Sequence, residues 1–386
     1  MKHTIPLYKK KNNNARIGIV TWLGNGNYGT ILQSFALCEK LRSLGYDVYM
    51  LVDGRCGGIV RRILKYILCR LGVLAVLRRM RNSKCTCVKD KKINDFIESN
   101  YNIISPIINR DMKYLIKNTD VFLTGSDQIW NVEYKFDKFM FLDFVEDGKK
   151  IAYASSMGIS YIPEKYKSEV RNLLSKFSHI GVRERTAVDV LSDVVQRDDI
   201  VQVLDPTFLL GAGKWSKMCN DVGLDTYLLG RDRYILCYLI GTNIDYRQQV
   251  LDIKKRTGIN DILIIPAVEN MGLIIEGATV CRDVGPREFV YLIMNATLVC
   301  TDSFHATALS INLSKDFVEF LRFEDADRKS QNSRIYDVLD HYCLRHRLYK
   351  KDDNGWLEHI DYKKVQSILE KDREVSIDFL IDSIEN

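Results

Sequence analysis

Proline is scarce in this sequence, with six in 386 residues. That scarcity excludes proline-rich spacers, and with 46% hydrophobic residues it also excludes a disordered chain. No apolar run reaches the roughly 20 residues that cross a bilayer as a helix. Met1–Asn14 is basic and asparagine-rich without an apolar core, so it does not read as a signal peptide. A strong excess of one charge is missing too: 56 Lys+Arg against 50 Asp+Glu leaves +6, which gives no argument for a nucleic-acid partner. No repeat of fixed period is found. The ten cysteines are scattered, and Cys85-Thr86-Cys87 is too tight for a C-x-x-C half-site and has no second half. We expect no metal, reduced thiols and a cytoplasmic protein.

What is present is a series of short apolar runs, each closed by a polar cluster. Arg16–Leu23 reads as a strand, followed by Gly24-Asn25-Gly26-Asn27-Tyr28-Gly29 and a helix from Thr30 to Leu44 with Gly45 as its stop. Asp47–Val52 completes a β-α-β unit ending in Asp53. The loop matches GxGxxG, but Thr21, Trp22 and Leu23 lengthen its approach and Tyr28 sits inside it, so a plain turn or a backbone cradle with Asn25, Asn27 and Thr30 is the simpler reading. Segment 59–84 interleaves isoleucines and leucines with arginines, the pattern of a basic amphipathic helix. It either packs on the domain or lies on an anionic membrane surface.

Further strands are expected at 121–124, 150–155, 179–182 and 201–204. They run into Gly125-Ser126-Asp127-Gln128-Ile129-Trp130-Asn131, Ser155-Ser156, Arg183-Glu184-Arg185 and Asp205-Pro206-Thr207. A carboxylate, amides and an indole after one strand suit a sugar. An arginine at a strand end can fork onto a carboxylate or phosphate. After a hinge at Gly211-Ala212-Gly213, strands resume at 234–240, 262–265, 296–300 and 316–321, with Arg322 and Arg334 as further cations. Thr301-Asp302-Ser303-Phe304-His305 opens a helix at the end of one of these. An imidazole there can bind an anion or give it a proton; the plainer alternative is that Asp302 or Ser303 caps the helix over a surface histidine. From Lys363 the pattern is helical. Clusters repeated at carboxyl ends predict an α/β protein of two Rossmann-like domains facing a central cleft. The expected limits are 1–213, 214–345 and a helical 346–386 that crosses back to the first domain.

Together these clusters resemble the polysaccharide pyruvyltransferase family. The likeness is carried by Gly26-Asn27-Tyr28-Gly29 with Leu32-Gln33, the 125–131 cluster, Val182-Arg183-Glu184, Leu204-Asp205-Pro206-Thr207 and 301–305. Ala306 departs from it, standing where glycine is more usual. The resemblance implies a fold like the GT-B glycosyltransferases, phosphoenolpyruvate as donor without a further cofactor, and a sugar or lipid-linked acceptor that receives a cyclic pyruvate ketal. It implies an enzyme working in the cytoplasm, at the inner membrane face where lipid-linked glycans are built.

On that reading His305 is the acid and phosphate contact, Arg183 the anion clamp, and Asp127 the base or acceptor-orienting group. Asn27, Tyr28, Ser126, Gln128, Trp130, Asn131, Glu184, Asp205, Asp302 and Ser303 are expected to shape the substrate site. Three rival readings are a nucleotide-sugar glycosyltransferase, a dinucleotide oxidoreductase resting on Gly24, Gly26, Gly29 and Asp53, and a non-catalytic glycan-binding or assembly subunit.

Overall fold

The computed structural model describes residues 15–23, 26–55, 88–220, 222–267, 273–325, 327 and 330–386. The basic segment 59–84, Gly24 and Asn25 lie outside them.

Two parallel sheets build two lobes. In the first, β1 (Arg16–Val20), β2 (Asp47–Leu51), β3 (Ile103–Ile104), β4 (Val121–Thr124), β5 (Lys149–Ser155), β6 (His179–Val182) and β7 (Val201–Gln202) stand in the order β3-β2-β1-β4-β5-β6-β7. In the second, β8 (Tyr234–Tyr238), β9 (Asp261–Ile264), β10 (Thr279–Val280), β11 (Leu298–Thr301) and β12 (Phe317–Glu319) stand in the order β10-β9-β8-β11-β12. The reversal of direction beside β1, and again beside β8, is that of the Rossmann sheet and opens a crevice at the carboxyl ends of both. Strands such as β1, β4, β8 and β11 are buried along their whole length, because helices cover both faces of a parallel sheet.

Four helices set the site: α1 (Tyr28–Ser43), α2 (Phe304–Asn312), α3 (Ser333–His341) and α4 (Tyr362–Glu385). Asn27 caps α1, its side chain accepting from the amides of Gly29 and Thr30. One apolar core is continuous across the lobes. It runs from Ile17, Ile31 and Phe35 through Phe289 and Leu309 to Leu369 and Leu380. Tyr28 sits in that seam. Its ring stacks on Phe289 at 4.5 Å between centroids, and its hydroxyl donates to the carbonyl of Val284 at 2.8 Å.

The expected crossing of the terminal helix is present. In α4 the Ser376 hydroxyl accepts from the amide of Leu204, and the carbonyl of Ile384 accepts from Lys149 Nζ at 3.2 Å. The expected glycine hinge is different: Gly211 caps the helix Ala212–Met218 and Gly213 lies within it. This junction is fixed by Asn312, whose amide donates to the carbonyls of Thr207 and Leu210 at 2.8 and 2.9 Å. The helices Val88–Asn100 and Asn109–Lys117 and the two-residue edge strand β3 escaped the sequence reading; they bury little, so their apolar signal is weak.

Candidate active site

Asp205 stands at the centre of the crevice. It ends the loop after β7 and caps a short helix, with Oδ1 accepting from the Thr207 amide at 2.9 Å and hydroxyl at 2.7 Å. Its Oδ2 accepts from Ser126 Oγ at 2.8 Å and from Arg183 at 3.2 Å. His305, from the other lobe, brings Nε2 to 3.6 Å from the same oxygen. Burial alone would raise the carboxyl pKa, but His305 and Arg183 reverse it and hold Asp205 below the usual carboxylate range. Apo geometries of this kind often tighten when substrate binds.

Arg183 is buried and its nitrogens are taken. Nε donates to Glu184 at 2.9 Å, one terminal nitrogen to Asp205 and the other to Ser156 Oγ at 3.0 Å. Its guanidinium lies 4.0 Å from the centre of the Phe304 ring. Burial opposes the charge, but Glu184, Asp205 and Asp127 outweigh it and raise the pKa. The Ser156 hydroxyl in turn donates to Glu184 at 2.6 Å.

Asp127 takes a left-handed backbone, φ 79°, and pairs with Ser155 across an isolated bridge. A non-glycine residue held there points to constraint by its surroundings. Its carboxylate accepts from Thr30 Oγ1, in the first turn of α1, and from the Gln128 amide, at 2.7 and 2.8 Å. The residue before Thr30 is Gly29, and the His305 ring rests on it so closely that a β-carbon would fall 2.2 Å from Nδ1. Asp127, Arg183 and His305 are thus linked through Thr30–Gly29 on one side and Ser126–Asp205 on the other.

Two further cations face this cluster. Arg322, after β12, donates to the carbonyl of Asp302 at 2.9 Å and brings Nε to 3.4 Å from its carboxylate. Arg334, in α3, is 7% exposed, and among the described residues its Nε has no acceptor and it forms no ion pair. Burial first, then repulsion from Arg322 and Arg183, pushes its pKa down to about 9. A cavity of about 130 Å³ opens beside it, lined by Arg183, Arg334, Phe304, Phe208, Tyr342 and Ser376. At the end of β12, fully buried Glu319 bonds to Thr307, and burial raises its pKa well above 4.5. A lone glutamate inside the apolar run Phe317–Leu321 was the sequence signal for it.

Of the residues expected in the site, the structure gathers His305, Asp127, Arg183, Ser126, Glu184 and Asp205. It uses others differently. Trp130 is core: its ring stacks on Phe141 at 5.4 Å and its indole N–H donates to the carbonyl of Met140, so no face is free for a sugar. Asn27 is a cap and Tyr28 an inter-lobe contact. Asn131 accepts from the amides of Glu133 and Tyr134 and holds its own turn. Gln128 lies over Gly158 and donates across to Gln331 at 3.0 Å. Asp302 ties β11 to β8, accepting from the amides of Ile240 and Gly241 at 2.6 and 2.7 Å and from Tyr246 at 2.8 Å. Ser303 is the first residue before α2, buried, with no side-chain bond to the helix. Asp53, the acid of the dinucleotide reading, is bonded to the amide and side chain of Arg55.

A family model described as polysaccharide pyruvyl transferase matches residues 27–320. A search of curated proteins finds no match. Among solved structures, the chain is similar to a putative UDP-N-acetylglucosamine 2-epimerase from Listeria monocytogenes, with TM-score 0.49, 10% identity, and 92% of this chain and 95% of that one covered. It is similar to UDP-GlcNAc 2-epimerase from Neisseria meningitidis, with TM-score 0.49, 9% identity and coverage of 95% and 99%. It is also similar to MurG from Acinetobacter baumannii, with TM-score 0.44, 9% identity and coverage of 96% and 99%.

Proposed function

Because this chain belongs to the polysaccharide pyruvyl transferase family, we propose that it moves pyruvate from phosphoenolpyruvate onto two hydroxyls of a sugar, in a cell-surface polysaccharide or its lipid-linked precursor. The observation that carries the reading is the His305–Asp205–Arg183 chain, 3.6 and 3.2 Å across the meeting of the lobes, with buried arginines around it.

The chemistry needs a proton, a base and charge stabilisation. A proton passes to the methylene carbon of the donor, which becomes a methyl group and leaves its neighbour electrophilic. One sugar hydroxyl adds there and gives up its proton, phosphate departs with the electrons of its C–O bond, and the second hydroxyl closes the ketal, its proton passing to the departing phosphate. His305 is the proton donor, its Nε2 facing the Asp205 carboxylate at 3.6 Å. Asp127 accepts the acceptor's proton or holds its hydroxyl. Arg183, already bonded to Glu184 and Asp205, acts as the brace that keeps Asp205 charged and in position. Positive charge around the cluster favours the departing phosphate.

The test is acceptor-dependent release of phosphate from phosphoenolpyruvate, screened over free and lipid-linked sugars. Release is expected with the true acceptor only. No release with any acceptor, together with transfer from a UDP-sugar, would replace this reading by a glycosyltransferase.

A further inference from the structure

We propose that Arg334, rather than Arg183, is the arginine that binds the donor's anionic end, and that the small cavity beside it, between α3, α4 and the ends of β6 and β7, receives a phosphate group. The chemistry of the neighbourhood decides between the two arginines. Most carboxylate oxygens near the cavity are engaged by protein groups: Glu184 Oε1 by Arg183 and Ser156, with Oε2 buried and unbonded among the described residues, Asp205 by Arg183 and Ser126, Asp337 by the Thr186 amide and hydroxyl, and Asp372 by His341 at 2.7 Å. Each nitrogen of Arg183 already bonds one of these groups or Ser156. Arg334 differs: among the described residues its Nε is buried without an acceptor. A guanidinium is not neutralised under ordinary conditions, and a buried one without a counter-charge is costly. Arg322 and Arg183 add like charge to that burden, more than the unbonded charges of Glu184 and Asp127 offset. A dianion in the cavity relieves all of it at once, and the planar fork of Arg334 can grip two oxygens. Phe304, whose other neighbour is the Arg183 guanidinium, supplies an apolar wall suited to the carbon end of a small phosphate ester.

The inference rests on the pyruvyl-transfer reading only for the identity of the ester; the phosphate site stands apart from it. The test is titration of the full chain with inorganic phosphate and with phosphoenolpyruvate, by calorimetry and by thermal unfolding, for wild type, Arg334→Met and Arg334→Lys. Wild type is expected to bind both and to melt higher with them. Arg334→Met is expected to melt at or above wild type without ligand, because a repelled charge is gone, and to lose the ligand-induced rise, with binding at least about tenfold weaker. A merely structural arginine would instead lower the ligand-free melting temperature and leave binding within twofold. That result, or a wild type that binds neither anion, overturns the proposal. Should Arg334→Met fail to fold, Arg334→Lys decides: it keeps the charge but not the fork, so weakened binding supports the assignment and unchanged binding refutes it. Phosphate binding that depends on Arg334, with no phosphate release from phosphoenolpyruvate, would sink the transfer reading and leave this site standing.

Discussion

Nδ1 of His305 lies so near Gly29 that a β-carbon there would come within 2.2 Å of it. A residue at the start of α1 in one lobe therefore sets the seat of an imidazole carried by the other. Gly29→Ala is expected to displace the ring and cost about 1–3 kcal/mol through overpacking. Turnover should fall with it. The double variant Gly29→Ala/His305→Ala should recover the lost stability, and urea unfolding of the four proteins of that cycle measures the coupling.

His305→Ala itself should leave the fold intact, since the ring packs on Gly29 and its Nε2 stands 3.6 Å from Asp205, whose carboxylate keeps Thr207, Ser126 and Arg183 as partners. Turnover is expected to drop about 10²–10⁴-fold, the usual cost of removing a positioned acid. Steady-state phosphate release, with circular dichroism as the check on folding, reads this out; a folded variant with wild-type turnover would remove His305 from the mechanism.

Asp205→Asn tests the centre of the cluster from the other side. The substitution keeps the shape but strips one counter-charge from buried Arg183 and from His305. A loss of about 3–5 kcal/mol is expected, as when one partner of a buried ion pair is removed. Native Asp205 is held below the usual carboxylate range, so its contribution is present at neutral pH and is lost only as pH falls through that low value. Wild type and variant should converge in stability under strong acid, which acid titration followed by fluorescence will show.

Glu319 has the opposite sign. Its pKa lies above 4.5 in the folded protein, so the folded state holds a proton that the unfolded state releases first. Stability should decline as pH rises through the window above 4.5, until the folded group also ionises. Glu319→Gln removes that slope and should raise stability at neutral pH relative to wild type. Denaturant midpoints at several pH values would separate the two proteins.

Trp130→Ala should cost about 3–5 kcal/mol, as for a large buried aromatic, while Trp130→Phe should leave acceptor KM unchanged. A KM effect from the conservative variant would return the indole to the sugar site.

Much of the fold was legible because a parallel strand announces itself twice, by its apolar run and by the polar cluster that stops it. That signal located β1, β4, β6, β8 and β11 and brought Asp127, Arg183 and His305 into one crevice. It could not tell a ligand contact from a brace. Trp130 and Asn131 sit in a polar stretch because a turn needs its amides satisfied and a lobe needs a core aromatic, and the sequence pattern is the same as for a sugar platform. Arg183 carried the right charge, yet Glu184 and Asp205 consume it, and such pairing depends on side chains 22 residues apart meeting in space. Arg334 lies in an ordinary amphipathic helix, where only the packing of α3 reveals that its Nε has no acceptor among the described residues.

The return of α4 to the first sheet means that the chain passes between the lobes in two places, once at 206–212 and once along the final helix. With an apolar core continuous between them as well, the two lobes are held together along a seam and not only at the two crossings. A cut near Ser376, where α4 grips the amide of Leu204, is expected to weaken that hold and lower the temperature at which the lobes come apart.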